Sequence, residues 1–405
     1  MDTDKDDHQH VVADLKRLMM EHALPLWAER GWDAQRGGFV ERLGADGEPD
    51  RESPRRLRVQ ARQIYCFSKA AQLGWYPAGR PLALQGLDYM LSRAREPDGH
   101  PGYVSLLAPD GGMLSSSRDT YDHAFVLLAL ATVYQLDPDA RVRAEIDSIL
   151  AFLDTKLKSP HGGYLEGVPG SLPRRQNPQM HLFEAMIALF DATHEVAFQN
   201  RAGEFFTLLL AHFCDPRTGL LGEYYEDDWS KILPVSVEPG HQAEWVWLLK
   251  GFERITGCPT SKYRSALLGS ALRYRDERTG CLVDEGNVEG RITKPSGRCW
   301  PQTEIAKAWM AQAESGEAGA DREARAALVR LERYYLRHAV KGGWYDSFEH
   351  DDEARAAPIL ASSFYHILCA IAEADRVLRQ EVTVSVRSLS RSVASVRGIP
   401  LGCSW

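Results

Sequence analysis

The sequence lacks a surplus of positive charge. It sets 48 Lys+Arg against 56 Asp+Glu, a formal net charge of -8, which argues against a general nucleic-acid binder presenting a basic surface to phosphates. It has no apolar run near the roughly 18 residues a membrane span requires. Its first residues, MDTDKDDHQH, are acidic where a secretion signal is basic and then apolar. A cytoplasmic protein with no membrane partner is expected. The seven cysteines are scattered with no C-x-x-C pair, so neither a disulfide framework nor a dithiol redox site is expected, only reduced, mostly buried thiols. A G-x-S-x-G elbow, a G-x-x-x-x-G-K-[ST] loop and a G-x-G-x-x-G turn after a strand are also missing, which leaves serine-hydrolase, phosphate-loop and dinucleotide-fold readings without support.

What is present is a globular composition, 44% hydrophobic and 26% charged, with ten tryptophans and fifteen tyrosines. That is enough to fill a large core and still line a sugar-sized pocket. A repeat organises it. A glycine turn followed by an apolar residue recurs as GGFVERL, PGYVSLL, GGYLEGV, TGLLGEYYE, TGCLVDEG and GGWYDSFEH. Its marker glycines Gly38, Gly102, Gly163, Gly219, Gly280 and Gly343 are separated by 64, 61, 56, 61 and 63 residues. A fixed period of this length signals repeated supersecondary units.

Between the turns, apolar residues recur at i, i+3, i+4 and i+7, the mark of amphipathic helices. The periodicity predicts helices over 57–73 and 81–95, 120–136 and 140–157, 180–192 and 197–214, 241–255 and 263–274, 303–313 and 322–339, and 359–378. An N-terminal helix over 11–30 makes twelve. Prolines near the first turns (Pro178, Pro239, Pro301, Pro358) mark starts. Six helical hairpins with no free ends predict an all-α, closed (α/α)6 barrel over residues 1–380. Residues 381–405, rich in Ser, Val and Arg, break the pattern and are expected to form a tail, poorly ordered if unanchored.

The first helix of each unit carries polar residues that a purely structural inner helix does not need. Glu184, Glu244 and Glu304 are 60 residues apart, as are His181 and His241. Tyr121, Asp122 and His123 fall in the preceding unit, Arg62 and Gln63 in the one before it, and Tyr365 with His366 in the sixth. Superimposed around the ring axis, they line one rim. In H-x-x-E (His181 with Glu184, His241 with Glu244) the glutamate can accept the imidazole N–H from the same helix face. A structural contact and a His/Glu metal site compete with that reading, though no H-E-x-x-H spacing exists. The carboxylates also leave glycoside hydrolysis open, whereas the accompanying histidines suit reversible proton transfer near neutral pH.

The strings RVQARQIY (58–65), NPQMHLFEA (177–185), EPGHQAEWVWLL (238–249), RCWPQTE (298–304) and SSFYHI (362–367) resemble the N-acylglucosamine 2-epimerase superfamily. The resemblance implies an (α/α)6 barrel that interconverts sugars through a cis-enediolate without metal or redox cofactor. It implies His241 and His366 as the acid/base pair, Glu244 as the orienter of His241 and Arg62 as the cation stabilising the enediolate oxygen. His181, Asn177, Tyr121, Trp300, Gln302, Glu184 and Trp245 become sugar-contacting candidates. The EPGHQAEW and RCWPQTE strings resemble the mannose isomerase branch more than the disaccharide epimerases, whose two-histidine string is here NPQMHLFEA with one. The expected activity is therefore aldose–ketose isomerisation of D-mannose and D-fructose, with D-lyxose as a second substrate. A 2-epimerase and an (α/α)6 glycoside hydrolase are the alternatives. The expected partner is a monosaccharide, and a homodimer is compatible with everything above.

Overall fold

A computed structural model of the chain describes residues 3–215, 217–348 and 357–378. The expected tail, 381–405, lies outside them. The chain opens with a rod of α1 (Thr3–Leu18) and α2 (Leu24–Arg30). Helix pairs follow: α3 (Leu57–Gln72) and α4 (Gly79–Ala94), α5 (Thr120–Leu136) and α6 (Ala140–Phe152), α7 (Gln176–Thr193) and α8 (Val196–Leu208). Next come α9 (Pro239–Thr256) and α10 (Ser261–Ala271), α11 (Cys299–Glu314) and α12 (Ala320–Leu331), and finally α13 (Ala361–Val377). The odd-numbered helices from α3 pack on one another in sequence, and α13 returns to α3; each even-numbered helix from α4 lies outside its predecessor, and α1 covers α13. This is an (α/α)6 barrel. No helix among the described residues is long and apolar enough to cross a membrane, and the six described cysteines form no disulfide with one another.

Three inner helices begin before the apolar periodicity does: α7 at Gln176 rather than 180, α9 at Pro239 rather than 241, and α11 at Cys299 rather than 303. Their first turns carry the polar residues of the rim, so an apolar count misses them. The inner helices are buried nearly all round; α5 has Thr120 and every residue from Asp122 to Val133 out of water.

Short antiparallel ladders join the units at the rim. The two residues preceding an inner helix pair with the segment after the next glycine turn: Arg55–Arg56 with Leu106–Leu107, Arg118–Asp119 with Gly167–Val168, and Arg174–Arg175 with Tyr224–Tyr225. The last such ladder joins Ile359–Leu360 to Arg42–Leu43, and the Ala361 N–H reaches the Glu41 carbonyl. The sixth unit is thus stitched to the first.

In five units one polar side chain of the inner helix, an amide in four of them, holds the glycine turn beneath it. Gln60 Oε1 accepts the Phe39 N–H and its Nε2 donates to the Phe39 carbonyl, both at 2.7 Å. Gln179 does the same to Tyr164 (3.0 and 2.8 Å) and Gln302 to Leu282 (2.9 and 2.9 Å). In unit two His123 Nε2 accepts the Tyr103 N–H, and in unit four Gln242 donates to the Gly219 carbonyl. Two residues beyond the clamped position stands a buried carboxylate. Glu41 takes the Arg56 N–H on one oxygen and Arg56 Nε on the other (2.6 and 2.7 Å), Glu166 takes Arg175 likewise (2.7 and 2.7 Å), and Asp284 takes Arg298 N and Nε (2.9 and 3.1 Å). Gln179→Ala strands the buried N–H of Tyr164, whose carbonyl keeps its bond from Arg174, and is expected to cost about 2 kcal/mol in urea unfolding.

Candidate active site

The six inner helices start at the ladder end of the barrel, so their positive N-terminal ends surround one cavity, an arrangement that favours an anion. The cavity is about 370 Å³, the scale of a small-molecule site. Of the expected residues, Arg62, Tyr121, Asn177 and His181 line one side and His241, Glu244, Trp300 and His366 the other. The Trp300 ring stands between the two imidazoles expected to act together, 4.9 Å from His241 and 5.8 Å from His366 between centroids. Gly240 makes that possible, because a Cβ there would lie 2.5 Å from the edge of the indole.

Each histidine donates Nδ1–H to a buried carboxylate, which leaves Nε2 as its other functional atom. His181 bonds Glu184 at 2.9 Å across one helical turn, as expected. His366 bonds Glu304 of the adjacent helix at 2.9 Å. His241 departs from expectation: its partner is Glu223 at 2.9 Å, with Glu238 at 3.9 Å, not Glu244. The spacing that serves His181 fails here because Glu223, at the end of the fourth glycine turn, approaches the ring from the neighbouring loop. Glu244 instead lies deeper, its Oε1 without a partner.

These pairings have opposite electrostatic results. Burial disfavours the charged form of each ring. For His241 the carboxylates of Glu223 and Glu238 outweigh it and lift the pKa to about 9. For His366 burial prevails over the Glu304 hydrogen bond, with Arg62 and Lys307 adding to it, and the pKa falls to about 4. His181 is likewise lowered by burial. Lys307, wholly buried, pairs with Glu304 at 2.7 Å and sits 3.7 Å from the Trp247 ring centre. Glu244 is pushed well up by burial and by Glu304, toward its neutral form.

Arg62 donates to the Tyr121 hydroxyl (2.8 Å), packs on Phe125, and has no carboxylate partner among the described residues. Its buried Nε is unsatisfied, as is Asn177 Oδ1. Unpaired polar atoms facing a cavity are places for a ligand's hydroxyls.

Three expected contacts lie elsewhere. Gln302 is committed to its clamp on Leu282. Trp245 is buried and donates to Gln176 (2.9 Å). Glu184 bonds His181 and the Tyr365 hydroxyl and faces a separate cavity of about 440 Å³ at the other end of the barrel. All three helix positions carry polar or aromatic groups, and sequence register alone does not say which way each points. Conversely, Glu223, Glu238, Arg58 and Arg298 belong to the site and were not expected there. Three His/Glu groups bring ligand-type atoms within 4.8 Å of one another, yet in each the imidazole Nδ1 already serves a carboxylate.

The barrel and this polar cavity define a class of sugar-converting enzymes. Residues 37–370 match the N-acylglucosamine 2-epimerase (GlcNAc 2-epimerase) family, and the chain belongs to it. It is 36% identical over 387 residues to "Mannose-6-phosphate isomerase" of Rhizobium meliloti (strain 1021), covering 91% of this chain and 98% of that one. It is 29% identical to "D-mannose isomerase" of Marinomonas mediterranea over 68% of this chain and 74% of that protein. The solved cellobiose 2-epimerase of Spirochaeta thermophila DSM 6192 superimposes with a TM-score of 0.83 at 22% identity, covering 94% and 100% of the two chains. The chain is an isomerase of this sugar isomerase and epimerase family.

Glu223→Gln removes the countercharge of His241 and is expected to lower its titration by about one pH unit or more, read by histidine NMR. Glu244→Gln, replacing a carboxyl already driven toward neutrality, should move it far less.

Proposed function

We propose that the protein interconverts D-mannose and D-fructose, and D-lyxose and D-xylulose, by proton transfer through a cis-enediolate. One observation carries the reading: two imidazoles flank Trp300 in one cavity, His241 beside carboxylates that favour its charged form and His366 where burial favours the neutral one. His366, neutral with Nε2 free, takes the C2 proton. His241, protonated, gives a proton to the carbonyl oxygen O1. The resulting enediol loses its O2 proton to His241, and His366, its proton exchanged with water while the enediol persists, returns one to C1. Arg62 and the helix N-termini meet the negative charge on oxygen as it develops, where fixed donors are most effective. His181, Tyr121 and Asn177 hold hydroxyls, and Trp300 packs on the sugar ring. No metal is needed in this sequence of steps.

A free hexose is favoured over its 6-phosphate because the mouth arginines Arg56, Arg58 and Arg298 are already held by Glu41, Asp122 and Asp284. The second reading is 2-epimerisation, favoured by the proton on His241: delivered to C2 from the opposite face, it inverts that carbon. The product profile with unlabelled mannose in heavy water separates them. Fructose with deuterium at C1 is expected; glucose without fructose would sink the isomerase reading. Mannose should be turned over with higher kcat/KM than mannose 6-phosphate.

Activity requires His366 unprotonated and His241 protonated. kcat/KM is therefore expected to hold between pH values of about 4 and about 9, falling on the acid side with His366 and on the alkaline side with His241. His366→Ala should lose at least about 100-fold in kcat with the fold intact by circular dichroism. Dialysis against EDTA should leave the rate unchanged.

A further inference from the structure

The residue just before each inner helix is Arg56, Asp119, Arg175, Glu238, Arg298 and Leu360 in turn. Arg56 and Arg175 each occupy both oxygens of the buried carboxylate of their own turn, backbone N–H on one and Nε on the other, whereas Arg298 places both donors on Asp284 Oδ1 and leaves Oδ2 to Ser296. Unit four has the carboxylate, Glu223, but an acid at the arginine's place. Its Oε1 still receives the Glu238 N–H, at 3.4 Å. Its Oε2 meets no arginine and takes His241 Nδ1 at 2.9 Å and Gln176 Nε2 at 3.0 Å.

We propose that Glu238 is a positioning residue: by standing where three other units place an arginine, it leaves Glu223 free to hold His241. The substitution is active as well as permissive. The Glu238 carboxylate turns away from Glu223 to Arg298, at 3.2 Å, and lies 3.9 Å from His241 Nδ1. A structural joint repeated round the ring becomes, in one unit, the support of a proton donor. The charged and titratable groups facing His241 are Glu223 and Glu238 from the rim, Glu244 on its own helix, His181 on α7 and Arg298 before α11. Of these, only position 238 has counterparts in the same ring that occupy both oxygens of the supporting carboxylate.

The inference rests on the reading of His241 as the acid, and its test separates the two. Glu238→Arg restores the joint that Arg56 and Arg175 make, so the variant is expected to fold with a Tm at or above that of the parent. The arginine should capture Glu223 Oε2. His241 should then titrate lower by about one pH unit or more in histidine NMR, and kcat/KM for mannose should fall about 100-fold, mostly in kcat. Glu238→Gln supplies no competing cation: it removes one of the two charges that favour the protonated His241 but leaves the Glu223 bond intact, so its losses in His241 titration and in kcat/KM should both be clearly smaller than those of the arginine variant. If Glu238→Arg does not fold, Glu238→Lys carries the same comparison with a shorter donor. An arginine variant with the parent's His241 titration and kcat/KM overturns the proposal, and so does a glutamine variant as impaired as the arginine one. Should the parent prove inactive on mannose, the functional reading fails while the His241 titration still decides the role of Glu238.

Discussion

A carboxylate buried at the end of a glycine turn must find donors or cost several kcal/mol, and most of the rim follows from that requirement. Glu41, Glu166 and Asp284 meet it with the backbone and side chain of the arginine that precedes the next inner helix. Each such bond fixes where a helix begins and at what angle its first turn faces the axis. Because the polar side chains of the cavity sit on those first turns, the joint that stabilises the ring also sets the geometry of the site. Glu223 meets the same requirement with an imidazole, which links the architecture to proton chemistry.

The cavity floor keeps like charges apart by giving each imidazole its own carboxylate. Three histidines with three similar Nδ1 bonds nonetheless differ in protonation, since the neighbours differ. Around His241 the acids Glu223 and Glu238 dominate. Around His366 and His181 burial dominates, helped by Arg62 at both and by Lys307 at His366. Glu244, squeezed between Glu184 and Glu304, is driven toward its neutral form. An acid and a base of the same residue type can then coexist in one sugar-sized space.

The period of the glycine turns was sufficient to read the barrel, because turn glycines and a helical stripe are local signals. Ring membership was legible too: residues sixty apart do converge. Direction was not. Gln302 shares its register with Gln60 and Gln179, and a comparison of those three amides would have marked it as a clamp rather than a sugar contact. The partner of His241 was also within reach. The acid of GLLGEYYE stands at the same offset as those of GGFVERL, GGYLEGV and GCLVDEG, and its freedom follows from Glu238 lying where Arg56 and Arg175 lie. Pairing by helix spacing hid it, since the His–Glu distance along a helix is satisfied equally well by a contact that another loop pre-empts. Opposite protonation of the imidazoles could not be read at all, for it depends on burial and on charges brought together from α3, α9, α11 and the rim.

The ladder between Ile359–Leu360 and Arg42–Leu43 has a consequence for how such a chain can change. An open array of helical pairs tolerates gain or loss of a module at either end. A circle stitched shut admits no seventh member without breaking a seam, so innovation is confined to what each position within a module becomes. The same seam makes all junctions nearly equivalent, so the backbone could be cut between modules and its old ends joined without losing the enclosure.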